Sequence, residues 1–151
     1  MSILSSYPVV LESIDFFLAS EEVDYHDVQN LAQQIADRGM WIMPVPVERH
    51  TGIIMDGNHR LRAARLLGLS HLPCILLDYN TPGVSVLHWD SGEPFSIAKI
   101  YQVILREHKI FAYKTTRHVF EPALPACEIS IASLRQINQF TQHNDERVLS
   151  P

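Results

Sequence analysis

A short apolar run, Ile53-Ile54-Met55, passes without a linker into Asp56-Gly57-Asn58-His59-Arg60 and then into a helical repeat that Gly68 closes. No other stretch constrains the fold as tightly. Strand, tight turn and helix start must occur within a few residues, so the chain needs a sheet on which to lay the helix. Leu61, Ala64 and Leu67 share the inward face of that helix. Its start offers unpaired backbone N–H groups and the positive end of the macrodipole, which together suit an anion. Gly57 permits close approach of a ligand to the backbone. His59 and Arg60 add donors, and an arginine grips phosphate or carboxylate bidentately. Asp56 repels an anion unless a cation or a proton intervenes, which points to a bound metal such as Mg²⁺ or to proton transfer. The plain alternative is an Asp-Gly turn whose aspartate caps the helix.

The flanking pattern alternates strands and helices. Tyr7 to Ile14 reads as a strand. Val28, Leu31, Ala32 and Ile35 define a helix over Asp24 to Arg38, with Asp24 as N-cap and Gly39 beyond its end. Trp41 to Val47 reads as a strand that Pro44 and Pro46 confine to an edge or a bulge. His50-Thr51-Gly52 turns the chain into the Ile53–Met55 strand. Leu72 to Tyr79 and Val84 to Trp89 are further strands. Phe95 to His108 has helical spacing, a short strand is expected near Cys127 to Ile131, and a short helix from Ser133. The expected class is α+β, a small mixed sheet flanked by helices, with one domain over 1–141 and a polar, flexible tail over 142–151.

A chain of 151 residues with 46% hydrophobic and 19% charged residues suits one globular core. The net charge of −5, with no Lys/Arg run, argues against nucleic acid as partner. The two cysteines, Cys74 and Cys127, fall in apolar stretches that read as strands, as buried thiols do. No signal-peptide pattern and no ~18-residue apolar run occurs, so a cytoplasmic protein without membrane contact is expected.

Two other clusters carry chemistry. Lys114-Thr115-Thr116-Arg117-His118 interrupts an apolar pattern with hydroxyls, a guanidinium and an imidazole, either converging on an anion or forming an exposed polar loop. Glu21-Glu22 precedes a helix, where carboxylates also favour the macrodipole. The remaining histidines show no metal-ligand spacing, and Trp41 and Trp89 suit a core or a pocket wall.

The run from Ile53 through Gly68, followed by Leu72-Pro73 and Asp78-Tyr79, resembles the ParB/sulfiredoxin-like superfamily. The combination with Lys114-Thr115-Thr116-Arg117-His118 and with Ser20-Glu21 is similar to the free L-serine kinases of that superfamily. The resemblance covers about residues 8 to 135. Ser20 and Asn58 depart from it, since His commonly stands at both positions. It implies an enzyme, a phosphotransferase making O-phospho-L-serine from serine with ADP or ATP and Mg²⁺. Glu21 would be the general base, and Asp56 would hold Mg²⁺ or assist proton transfer. Gly57, Asn58, His59 and Arg60 would hold the donor phosphates. Thr115, Thr116, Arg117 and His118 would bind the amino acid, with Trp89 as a wall.

A sulfiredoxin needs a cysteine where Asn58 stands, which removes that reading. The rival from another class is a non-catalytic ParB-like nucleotide-binding module, regulatory or interacting. A DNA-binding regulator would add a helix-turn-helix, for which little sequence remains. Glu21 with the Thr-Thr-Arg-His segment favours the kinase, because a binding module needs neither a base nor an amino-acid clamp.

Overall fold

The computed structural model describes residues 7–135. Residues 136–141 of the expected domain and the expected tail over 142–151 lie outside the described residues.

The centre is a three-stranded mixed sheet. Strand β1 (Val10–Ser13) runs antiparallel to β4 (His71–Leu77), and β3 (Val45–Glu48) runs parallel to β4 on its other side. The apolar run of β4 follows from burial on both faces. Leu72 and Cys74 enter one core with Phe17, Trp41, Val45, Val47, Ile54 and Leu61, while Ile75 and Leu77 enter a second with Ile53, Met55, Phe95 and Ile100. Burial in the first core pushes the Cys74 thiol up to about 12, as for an inert packing residue.

Helix α1 (Tyr25–Arg38) has the expected caps: Asp24 accepts from the N–H groups of His26 and Asp27, and Gly39 takes the left-handed conformation. It packs on α2 (Asn58–Leu66) through Val28, Ala32 and Ala63. Met40–Trp41 (β2) pairs with Ile129–Ser130 (β7), and Val84–His88 (β5) pairs with Thr116–Phe120 (β6). Helix α3 (Ile97–Tyr101) follows β5. None of the helices among the described residues is long and apolar enough to cross a membrane.

Several expectations change. The strand over 41–47 is two strands, β2 and β3, parted at Ile42 to Pro44. The freed carbonyls there find other donors: Ile42 accepts from Cys127 N–H, and Met43 and Pro44 accept from Arg60. Cys127 itself lies outside β7. Ile53 to Met55 is buried but joins its neighbours by single bridges, Ile53 to Leu18 and Ile54 to Val47, rather than as a sheet strand. Gly52 permits that approach, because a Cβ at its φ of 78° would run into the Phe16 carbonyl. The helix expected over Phe95 to His108 begins after Ser96, whose hydroxyl caps it. It widens into a π turn at Gln102–Arg106, where Glu107 N–H donates to the Gln102 carbonyl five residues back. The helix expected from Ser133 starts at 131, with the Ser130 hydroxyl accepting from Ser133 N–H. The segment read as a polar interruption, Lys114 to His118, contributes its last three residues to β6.

Candidate active site

The N-terminus of α2, the segment at 20–22 and the start of β6 meet around a cavity of about 590 Å³. Its lining includes Glu21, Glu22, Asp56, Gly57, Asn58, His59, Arg60, Trp89, Thr116, Arg117 and His118, so four separated stretches of sequence converge on one space.

The turn into α2 is made by Gly57 at φ 109°, with no side-chain cap. Asp56 therefore is not the helix cap. Its carboxylate is 65% exposed and lies 3.5 Å from Arg60 Nη2. The first N–H groups of α2 face this end of the helix, as an anion site requires. Arg60 is largely committed elsewhere. Its Nη1 donates to the Met43 and Pro44 carbonyls at 3.0 and 2.9 Å, its Nη2 pairs with Asp56, and a Cβ on Gly57 would stand about 3.0 Å from its guanidinium. Burial lowers its pKa, and Asp56 opposes that shift. Arg60 thus braces the turn and carries charge beneath it. His59 Nε2 accepts from Asp24 N–H at 3.2 Å, and its ring meets Tyr113 edge-on at 5.6 Å between centroids.

Glu21 is held from the opposite wall. Its Oε2 accepts from Thr116 N–H and Thr116 Oγ1, both at 2.8 Å, and its Oε1 accepts from Lys114 N–H at 3.2 Å. Lys114 adopts φ 60°, a conformation that costs a non-glycine residue strain and aims its N–H at the carboxylate. The backbone at 20–22 is fixed as well: Phe111 N–H donates to the Ser20 carbonyl and Glu22 N–H donates to the Phe111 carbonyl. Asn58 completes the arrangement. Its Oδ1 accepts from Ser20 N–H at 2.7 Å and Glu21 N–H at 3.2 Å, and its Nδ2 donates to Ser20 Oγ at 3.0 Å. The two positions at which the sequence departs from the serine-kinase pattern are thus in contact.

Thr116 spends its hydroxyl on Glu21. Thr115 does not line the cavity, and its hydroxyl donates to the Ala112 carbonyl at 2.6 Å. Arg117 lines the cavity; its backbone pairs with Leu87 in the β5–β6 ladder, while its guanidinium makes no hydrogen bond or ion pair with the described residues and is available to a ligand. His118 Nε2 meets the Tyr79 hydroxyl at 3.2 Å, while its Nδ1 is buried without a hydrogen-bond partner among the described residues. Burial pushes its pKa down to about 4, so the imidazole is neutral near pH 7. Trp89 stands at the mouth, 44% exposed. The Lys114 ammonium lies 5.3 Å from the ring centroids of both Trp89 and Tyr113.

Sequence reasoning did not assign Tyr113 or the Lys114 backbone, although Lys114 lay within the motif it singled out. Tyr113 adjoins that motif, but no spacing rule marks an aromatic residue there as a wall. The brace role of Arg60 was equally hidden, since Met43 and Pro44 are distant in sequence.

Among known proteins, the ParB N-terminal domain family matches residues 9–88. An ATP-dependent L-serine kinase of Staphylothermus marinus is 31% identical over 102 residues, 65% of this chain and 40% of that protein. A free serine kinase in complex with AMP superposes with a TM-score of 0.76 at 12% identity, over 85% of this chain and 94% of that one. A free serine kinase mutant in complex with ADP gives the same TM-score and identity, over 85% of this chain and 95% of that one. At such identity the structural likeness is one of fold. The chain spans no more than 40% of the length of the curated relatives it matches.

Proposed function

The chain belongs to the ParB N-terminal domain family, and from that premise we propose that its cavity transfers a phosphoryl group from an adenine nucleotide to the hydroxyl of free L-serine. The observation that carries this reading is the position of Glu21, a carboxylate fixed on the wall of the same cavity that collects the start of α2, Asp56 and Arg117. The names of the relatives, an L-serine kinase and free serine kinases bound to AMP and ADP, support the same chemistry.

Phosphoryl transfer asks a protein mainly for positioning and charge neutralisation. In this reading the N–H groups at the start of α2 hold the donor phosphates, and Arg117 and Lys114 neutralise charge on the acceptor side. Glu21 Oε1, which carries only the longer bond from Lys114 N–H, takes the proton of the serine hydroxyl as its oxygen bonds to the donor's terminal phosphorus and the bond from that phosphorus to the bridging oxygen breaks, so that the nucleotide leaves one phosphate shorter. His118, neutral and held to the Tyr79 hydroxyl, forms part of the acceptor-side wall, and Trp89 with Tyr113 excludes water from one side. The exposed carboxylate of Asp56, beside the start of α2, fits a magnesium ion shared with nucleotide phosphates. Mg²⁺ takes one or two carboxylates together with phosphates rather than an all-protein cage, and no cluster of three ligating side chains exists among the described residues. When bound there, the ion would offset phosphate charge. In this reading the protein acts in the cytoplasm, where free serine and nucleotide occur together.

The test is to incubate purified protein with Mg²⁺, L-serine and either ADP or ATP, and to detect O-phosphoserine by mass spectrometry. Product that depends on one nucleotide establishes the activity and names the donor. Nucleotide binding without product, across serine, threonine and homoserine, would leave a nucleotide-binding module.

A further inference from the structure

Asn58 is the first residue of α2, a position from which a polar side chain would be expected to face a bound phosphate. Its side chain is instead used in the other direction. The carboxamide oxygen takes the N–H groups of both Ser20 and Glu21, and the carboxamide nitrogen donates to Ser20 Oγ. Ser20 Oγ in turn donates to the Ile54 carbonyl at 2.7 Å, which anchors the set to the buried run before the turn. These contacts fix the amide orientation, because reversing it would set an NH₂ group against two backbone N–H donors. Ser20 is 8% exposed, so the bonds are shielded from competing water. A buried donor left without its acceptor is costly, which ties the geometry of 20–21 to that of the α2 start.

We infer that Asn58 is a positioning residue, not a phosphate ligand: its side chain sets the place of Glu21 relative to the helix start that receives the nucleotide. The inference deepens the kinase reading and rests on it for the catalytic readout. Glu21 is clamped at its own N–H by Asn58 and at its carboxylate by Thr116 and Lys114, while its neighbours Ser20 and Glu22 are tied to Phe111. Losing the backbone clamp lets the carboxylate drift from the acceptor hydroxyl, and a misplacement of about 1 Å can cost on the order of 10²-fold in rate. The nucleotide keeps its backbone donors on α2 throughout.

Two substitutions separate the roles. Asn58→Ala removes the clamp and adds no charge. Asn58→Asp keeps an oxygen for the two N–H groups, gives up the donor to Ser20 Oγ, and adds a negative charge to the wall of the cavity that receives the phosphates. With saturating serine, Asn58→Ala should lower kcat by about 10–100-fold while the nucleotide Kd stays within about 3-fold. Asn58→Asp should retain kcat within about 5-fold and weaken nucleotide binding by about 10-fold or more. A Kd for Asn58→Ala raised about 10-fold with wild-type kcat would overturn the inference and make the side chain a phosphate contact. Amide hydrogen exchange at Ser20 and Glu21 supplies a readout that needs no turnover. Both amides should exchange at least about 10-fold faster in Asn58→Ala and stay protected in Asn58→Asp. Unchanged exchange in the alanine variant would equally overturn it. A wild-type protein that makes no phosphoserine but shows the expected exchange pattern would sink the kinase reading alone.

Discussion

Replacing Glu21 by glutamine tests the centre of the proposed chemistry, because the change keeps shape and removes a base. The carboxylate accepts three hydrogen bonds, two of them from Thr116. The amide oxygen of glutamine would settle on the Thr116 side, where two donors converge. Its NH₂ would then oppose Lys114 N–H, so one charge-assisted bond is lost, a local cost of about 1.5–3 kcal/mol. The effect on rate is separate. Loss of a general base lowers kcat by about 10²–10⁴-fold, or about 3–5 kcal/mol of barrier. Nucleotide affinity should hold or rise, since a negative charge leaves a cavity that receives phosphates. The assay is kcat by phosphoserine formation with both substrates saturating, beside nucleotide Kd by calorimetry and Tm. Glu21→Asp should fall between the two, with its carboxylate withdrawn by about 1.5 Å, one carbon–carbon bond. A glutamine variant whose kcat stays within about 3-fold of wild type, even with a lowered Tm, would refute the reasoning and leave Glu21 as an anchor for the start of β6.

Other perturbations reach the remaining parts of the site and fold. Arg117→Ala should raise the serine KM by about 10–100-fold with little change in nucleotide Kd, and the reverse pattern would move the acceptor elsewhere. Asp56→Asn should abolish the difference between nucleotide affinities measured with Mg²⁺ and with EDTA, while Tm moves little because the exposed Asp56 carboxylate stands 3.5 Å from a guanidinium that keeps its bonds to the Met43 and Pro44 carbonyls; a persisting difference would remove Asp56 from metal binding. His118 is held neutral, with its pKa pushed down to about 4. The unfolded chain therefore takes up a proton from about pH 6.5 downward that the fold refuses. Stability from this group is full above pH 6.5 and is lost as pH falls toward 4, by up to about 3 kcal/mol. Denaturant melts at pH 5 and 7 should show that loss, and His118→Phe should reduce it; equal losses in both proteins would contradict the assignment. Gly52→Ala should destabilise the fold by more than about 2 kcal/mol, read as a fall in denaturant midpoint, because its Cβ meets the Phe16 backbone and its φ is positive. A wild-type midpoint would show that the 16–18 segment yields freely.

Local pattern determined the elements whose physics is local. Helix α1 ends where Asp24 and Gly39 say it must, and the turn at Gly57 was legible because a buried run, a glycine and a helical repeat follow without a gap. The motif at 114–118 was visible as chemistry but not as structure. Its polar residues hid a strand, since β6 forms only when Thr116 to Phe120 pairs with β5 at a distance of some thirty residues. Tertiary contact also decided how each polar side chain is spent. Sequence could place Arg60 and Asn58 at a helix start, but not send one to the carbonyls of Met43 and Pro44 and the other to the N–H groups of Ser20 and Glu21. Hydrogen bonds go to whichever unpaired group the folded chain brings within about 3 Å, and those partners lie 16 to 38 residues away. The sequence thus determined which residue types were available for chemistry, and the tertiary structure divided them between facing a ligand and holding the residues that do.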